Sequence, residues 1–325
     1  MKTVAVICGG DSGEYDISIQ SGRVVVDSLP QEKFKGYLVV IKKTGWQVEF
    51  PDGQQFPVMK EDFSFVAEGA KVTFDLVFNA IHGTPGEDGK ILGYFDVLGI
   101  PYTSSNMLVS ALTFNKDICK RVVASHGVRV AKSVLLKKDH HINAQILLDT
   151  LGLPVFVKPN NGGSSVGVTK VKQPDQLLPA VYKAMKEDDE VLVESFIGGR
   201  EFGCGVMQSK KGMIVFPVTE IISKNEFFDY EAKYTQGMAD EVTPAQITET
   251  AETRIKSTAA FLFESLGCKG FVRFDFIISK GKLYFLEVNT VPGITQASIL
   301  PKQANEMGIG LADLFEMALD NIIDQ

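Results

Sequence analysis

An α/β protein of three lobes, an open α/β sheet domain followed by two α+β lobes, is the fold class this sequence predicts. Its length is the first reason: 325 residues exceed one ordinary domain of roughly 100–200 residues. The second is that the first hundred residues alternate short apolar runs with helical stretches, the pattern of an open sheet with ligand loops at its carboxyl edge. The third is a succession of long strand-like runs in the C-terminal part. With 45% hydrophobic and 22% charged residues, the chain has the composition of a globular protein rather than a disordered or fibrous one.

Residues 3–8 form a β-branched run meeting Gly9-Gly10 and read as a buried strand leading to a helix over 16–28. A second apolar strand spans Val72 to Ile81, a glycine-rich turn His82 to Gly89, a helix Ile91 to Leu98 and a short strand Ile100 to Tyr102. A helix over 107–125 then leads to a strand Val128 to Leu136, a helix near 142–151 and a strand Val155 to Lys158 ending at Pro159. Strands at 191–197, 200–208 and 213–219 precede the polar, aromatic stretch 223–242, a lid candidate because compact domains rarely carry so long a connection without a function. A helix over 244–266, a hairpin over 270–289 and two helices complete the chain. The expected lobes are 1–104, 105–193 and 194–325.

A net charge of −7, from 33 Lys plus Arg against 40 Asp plus Glu, argues against a general nucleic-acid surface. An anionic substrate therefore needs a local basic cluster. Cys8, Cys119, Cys204 and Cys268 are too scattered for a C-x-x-C or Cys/His metal set and read as reduced thiols. The N-terminal apolar run of five residues is too short for a signal peptide or a membrane span, so a cytoplasmic protein without membrane contact is expected.

In the hairpin, Val272, Phe274, Phe276 and Ile278 alternate with Arg273 and Asp275, while Tyr284, Leu286 and Val288 alternate with Glu287 and Asn289. Pairing that keeps the apolar faces together puts Arg273, Asp275, Glu287 and Asn289 on one surface. Such a surface is either a solvated outward face or a hard, oxygen-rich site suited to Mg²⁺ and nucleotide phosphates. The loop 158–167, Lys-Pro-Asn-Asn-Gly-Gly-Ser-Ser-Val-Gly, offers backbone N–H groups and the hydroxyls of Ser164 and Ser165 to a phosphate. It is no Walker A loop, since Gly89-Lys90 and Gly281-Lys282 are followed by Ile and Leu.

The segment Glu287-Val-Asn-Thr-Val-Pro-Gly-Ile-Thr295 resembles the signature of ATP-grasp ligases. Three further motifs narrow the resemblance to the D-alanine–D-alanine ligase family: Gly9-Gly-Asp-Ser-Gly-Glu-Tyr-Asp-Ile-Ser18, His82-Gly-Thr-Pro-Gly-Glu-Asp-Gly89, and Tyr230-Glu-Ala-Lys-Tyr234. They occur in the family's order along almost the whole chain. The resemblance implies the three-domain ATP-grasp architecture, in which the second and third lobes clamp ATP. It implies two Mg²⁺ (or Mn²⁺) ions held by Asp275, Glu287 and Asn289, and phosphates met by Lys116, a mid-helix residue, together with Lys158, Ser164 and Ser165, while Lys233 arrives with the lid to bind cofactor and substrate. Glu194 and Ile197 fall where the family contacts adenine, and Glu201 where it contacts ribose. Here the chain departs from the pattern, with Ser195 where a lysine usually follows the hinge acid.

By the same resemblance Glu14 holds the ammonium of a first D-alanine, near His82, and joins Ser164 and Tyr234 in a hydrogen-bonded triad. The carboxylate of the second amino acid meets Ser298 and the N–H of Ile299 at a helix start, while Arg273 and the Gly293 N–H hold the oxyanion. The implied reaction is ATP-dependent formation of D-alanyl-D-alanine through an acyl phosphate, for peptidoglycan precursors, in a homodimer. Two rival readings stand beside it: an ATP-grasp ligase for a different amino or hydroxy acid, and a nucleotide-binding sensor without ligase activity.

Overall fold

A computed structural model describes residues 1–163, 165–223 and 239–323. The first lobe runs β1 (Lys2–Gly9), α1 (Tyr15–Ser28), β2 (Phe34–Lys42), β3 (Gly45–Glu49), β4 (Gln55–Pro57), β5 (Phe65–Ala67), β6 (Ala70–Val72), β7 (Leu76–Asn79) and α2 (Lys90–Leu98). Its main sheet has the order β4-β3-β2-β1-β7, with β1 parallel to both β2 and β7. A parallel strand covered on both faces needs apolar residues at every position. Accordingly, Val4 and Val6 enter one core and Ala5 and Ile7 another. The expected strand 72–81 is shorter, β7 being preceded by the separate β5/β6 hairpin, and Tyr102 joins Val77 only as an isolated parallel bridge.

Next come α3 (Met107–Phe114), α4 (Lys116–Ser125), β8 (Ser133–Lys137), α5 (Ala144–Leu151), β9 (Val155–Pro159), β10 (Thr169–Val171), α6 (Leu177–Ala184) and β11 (Glu190–Ser195). The single helix expected over 107–125 is broken at Asn115, whose side chain accepts from the Ile118 N–H and caps α4. Lys116 is therefore the first residue of a helix and not a mid-helix residue. Strands β8 to β11 form a four-stranded sheet of order β10-β9-β11-β8. The division expected at residue 194 falls inside β11, and α3 and α4 contribute Val109, Cys119 and Val123 to the core of the following sheet.

That sheet comprises β12 (Arg200–Ser209), β13 (Gly212–Val215), β14 (Thr219–Ser223), β15 (Ala239–Val242), β16 (Phe271–Ser279) and β17 (Lys282–Asn289). Helices α7 (Glu249–Ser265), α8 (Ile299–Glu306) and α9 (Leu311–Ile323) accompany it. The strand expected over 213–219 is split between β13 and β14, both paired with β12. Val6 and Phe78 of the first lobe share one apolar cluster with Met207, Leu300 and Phe315, so the first and last lobes are joined by a common core. Among the described residues no helix is long and apolar enough to cross a membrane.

Candidate functional site

The β16/β17 hairpin pairs as the alternation requires, with Arg273 opposite Asn289 and Asp275 opposite Glu287. A β-bulge then intervenes, and Phe276 faces Phe285. The extra residue is Leu286, so the expectation that Tyr284, Leu286 and Val288 share one buried face is corrected: Leu283, Phe285 and Val288 are buried, and Leu286 turns to the same side as Glu287. Bulges re-aim side chains next to functional sites.

Arg273, Asp275, Leu286 and Glu287 line a cavity of about 1010 Å³. It lies between the four-stranded sheet, which contributes Lys158 and Glu194, and the large sheet, and the loops carrying Glu14 and Gly83 border it. This volume suits a nucleotide with small co-substrates. Arg273 holds Asp275 through two bonds, Nε to Oδ1 at 2.8 Å and Nη2 to Oδ2 at 2.9 Å, while Asn289 Nδ2 donates to Asp275 Oδ2 at 3.0 Å. Burial lowers the pKa of Arg273, but the Asp275 and Glu287 carboxylates more than offset it, and the guanidinium stays charged. Among the described residues no three His, Cys, Asp or Glu side chains gather as a metal site. Two facing carboxylates and an amide nonetheless form an oxygen donor set of the kind hard divalent cations accept.

On the opposite wall, the Lys116 N–H donates to the Asn160 carbonyl at 3.0 Å, and Lys116 Nζ bonds the Gly162 carbonyl of the glycine-rich loop. Asn160 is fully buried and ties three elements: its Oδ1 accepts from the Asp117 N–H at 2.9 Å and its Nδ2 donates to Glu190 at 2.9 Å. These bonds root the loop on the N-terminus of α4, where the helix dipole adds positive potential to that of the lysine. The loop meets the first lobe at Gly163, where a Cβ would stand 2.6 Å from Glu14 Oε2. Ser165, Ile197 and Glu201 also line the cavity.

Glu194 is buried and shared by two lysines. Lys158 Nζ lies 3.3 Å from each carboxylate oxygen, and Lys120 bonds Oε2. Burial opposes the Glu194 charge, yet the Lys158 and Lys120 cations hold its pKa below the usual range. Lys120 was not singled out in the sequence, although its spacing of four from Lys116 places both on one face of α4. Arg200 and Glu220 were missed too. Their ion pair, at 2.6 and 2.7 Å, arises across β12 and β14, and nothing in the local sequence announces it.

His82 does not line the cavity. It is 4% exposed, with Nε2 2.8 Å from Ser21 Oγ and Nδ1 2.9 Å from the Val291 carbonyl. Burial lowers its pKa. Asn289, Gly293, Ser298 and Ile299 are also outside the lining, grouped at and after the end of β17. Ser298 stands at the N-cap of α8, but its side chain pairs with Thr295 Oγ1 at 2.9 Å and does not cap the helix. A Cβ on Gly293 would meet Ser298 Oγ at 2.9 Å. Glu87, within the His82–Gly89 motif, accepts from the Gly83 N–H at 3.0 Å, and burial together with the Glu14 charge pushes its pKa up to about 7. Ser164, Lys233 and Tyr234, and with them most of the lid candidate, lie outside the described residues.

The family described as D-ala D-ala ligase N-terminus matches residues 3–105, and that described as D-ala D-ala ligase C-terminus matches residues 122–320. The D-alanine--D-alanine ligase of Phocaeicola vulgatus is 43% identical over 321 residues, covering 98% of this chain and 99% of its own. Among solved structures, D-alanyl-alanine synthetase A from Vibrio cholerae superposes with a TM-score of 0.90 at 28% identity, covering 100% and 99% of the two chains. The D-alanine--D-alanine ligase from Bacillus anthracis complexed with ATP superposes with a TM-score of 0.80 at 29% identity, covering 99% and 97%.

Proposed function

Because the chain belongs to the D-alanine–D-alanine ligase family, we propose that its cavity joins two D-alanine molecules into D-alanyl-D-alanine, using ATP. The observation that carries this reading is the Asp275–Glu287 cross-strand pair with Arg273 beside it, in one cavity with Lys116 and Lys158. A binding module for nucleotide has no need of a guanidinium beside paired acids. The product serves bacterial peptidoglycan precursor synthesis.

A carboxylate is a poor electrophile until activated. The carboxylate oxygen of the first D-alanine attacks the γ-phosphorus of ATP, the bond to the bridging oxygen breaks, and ADP leaves an acyl phosphate. Lys116, reinforced by the N-terminus of α4, and Lys158 neutralise charge on the phosphates. The amine of the second D-alanine then attacks the acyl carbon; the tetrahedral adduct gives up an N–H proton, which leaves with the phosphate, and collapses as the bond from the acyl carbon to the phosphate oxygen breaks. Arg273 and the Gly293 N–H stabilise its oxyanion. Glu14 receives the ammonium of the first substrate, since a charge removed from water needs a partner. The start of α8, at Ser298 and Ile299, receives the carboxylate of the second.

Asp275, Glu287 and Asn289 would hold Mg²⁺ or Mn²⁺, which supplies further charge neutralisation on the phosphates when bound. Glu194, Ile197 and Glu201 take the adenosine end, and Ser165 of the glycine-rich loop faces the phosphates. His82 acts on the substrate only through the loop it holds. For Ser164, Lys233 and Tyr234 the family resemblance alone supplies the roles: triad partners of Glu14 for Ser164 and Tyr234, and cofactor and substrate binding for Lys233. The four buried free thiols suit a reducing cytoplasm, and the assembly we propose is a homodimer, which light scattering on the purified chain checks.

The test is phosphate release from ATP and Mg²⁺ with a panel of D-amino acids, followed by mass spectrometry of the product. Release that depends on D-alanine, with a product of the mass of D-alanyl-D-alanine, is expected. Release indifferent to D-alanine, or a product containing another acid, rejects the reading.

A further inference from the structure

Three buried charged groups sit side by side where β9, β11 and α4 meet. Glu194 is 4% exposed, Lys120 4% and Lys158 8%. The two lysines share the one carboxylate. Lys158 makes a loose contact, 3.3 Å from both oxygens, and lines the cavity. Lys120 donates to Glu194 Oε2 and to Ser133 Oγ, the latter at 3.2 Å. It is not among the cavity-lining residues. The cluster thus holds two cations to one carboxylate.

We propose that Lys120 is a positioning residue that lets Lys158 change partners, remaining on Glu194 when Lys158 turns from that carboxylate to a nucleotide phosphate. The inference rests on the reading of the cavity as an ATP site. Its physical basis is the penalty for an unpaired buried charge. Were Lys158 the sole counter-ion of Glu194, its departure would strand a carboxylate out of water, at a cost of about 100-fold or more in the binding equilibrium. With Lys120 in place, Glu194 keeps a cation throughout, and Lys158 is the spare charge available to the ligand. Placement enforces the division: Lys120 projects from α4 four residues after Lys116, so one helix presents a lysine to the glycine-rich loop and another to the hinge acid. Burial lowers the pKa of Lys120, with the Glu194 carboxylate opposing that effect.

Titration calorimetry of the full chain with Mg²⁺ and a non-hydrolysable ATP analogue tests the proposal, starting with the unaltered protein. In Lys120→Met the Kd for the analogue is expected to rise about 100-fold or more, while the KM for D-alanine changes little. Lys120→Arg, which keeps the cation, recovers most of the loss. The decisive variant is Lys120→Met combined with Glu194→Gln. An amide no longer holds Lys158, so the double variant is expected to bind the analogue more tightly than Lys120→Met alone, a non-additivity that a merely structural role does not produce. If Lys120→Met fails to fold, the comparison moves to the Glu194→Gln background, where adding Lys120→Met is expected to change affinity by less than about threefold. Unchanged affinity in Lys120→Met overturns the proposal, as do additive losses in the double variant or a tenfold loss on adding Lys120→Met to Glu194→Gln. Absence of binding by the unaltered protein rejects the ATP site itself and this proposal with it. Binding without the coupling rejects the proposal alone.

Discussion

Nδ1 of His82 donates its proton to the backbone carbonyl of Val291, 2.9 Å away and 209 positions along the chain. A carbonyl only accepts, so the tautomer is settled: Nδ1 carries hydrogen, and Nε2 accepts from the Ser21 hydroxyl at 2.8 Å. The imidazole therefore links α1 of the first lobe to the turn that follows the acid-bearing hairpin. His82→Phe fills similar space but leaves both partners unpaired. We expect a stability loss of about 1–3 kcal/mol in denaturant unfolding, with kcat falling because the Gly293 turn is no longer held. Full stability in this variant would show that the link carries no load.

Two buried groups of the first lobe oppose each other in their pH dependence. His82 is held below its ordinary pKa of 6.5 by burial, so the unfolded chain takes up a proton that the folded one refuses. Its contribution is therefore lost as pH falls below about 6.5. Glu87 behaves inversely: burial and the Glu14 charge raise it from 4.5 to about 7, so its penalty grows as pH rises from about 4.5 through about 7. In metal-free protein, Glu87→Gln should remove that penalty and gain on the order of 1–3 kcal/mol at pH 8 relative to pH 4.5. Unfolding curves at the two pH values decide it, and a parallel shift of variant and parent would reject the assignment.

Gly163 is required by its neighbour rather than by its own backbone. An added Cβ would stand 2.6 Å from Glu14 Oε2, closer than side-chain atoms approach, and Glu14 must move. Since small displacements of a substrate-orienting group are costly, Gly163→Ala is expected to raise the KM for D-alanine about tenfold or more while leaving ATP binding close to the parent. Equal KM values for D-alanine would show that Glu14 does not position the substrate.

Arg273→Ala should retain ATP binding and reduce kcat about 100- to 1000-fold. Arg273→Lys should not rescue it, because an ammonium cannot reproduce the two-bond grip on Asp275 while presenting further N–H groups to the oxyanion. Single-turnover measurement separates acyl-phosphate formation from the second step. A kcat near that of the parent in either variant would remove Arg273 from the reaction.

The cysteines give a simple check on packing. Burial pushes the thiols of Cys8, Cys119, Cys204 and Cys268 up to about 12. None should react with a thiol reagent at pH 8 in the folded protein, and all four should react once it is unfolded. Stoichiometric labelling of the native chain would contradict the burial of these side chains.

What the residues determine on their own is local. The buried strand β1, the alternation along β16, and the Gly-rich character of 158–167 each follow from side-chain period and backbone freedom, which need no knowledge of distant partners. That Asp275 and Glu287 share a surface was equally legible from the alternation, but their direct pairing was not: the turn at Lys280-Gly281 by itself sets Asp275 opposite Leu286, and the bulge brings Glu287 there instead. Tertiary structure alone decided the rest. Leu286 joins Glu287 at the cavity because a bulge absorbs one residue, and alternation cannot announce a bulge. Lys116 begins a helix rather than sitting within one because Asn115 caps there and the Lys116 N–H finds the Asn160 carbonyl. Lys120 meets Glu194, and His82 meets Val291, only when separate lobes pack. Such pairings are chosen by the shape of the buried interface and by the cost of leaving polar groups unpartnered within it, a quantity that no stretch of sequence contains by itself.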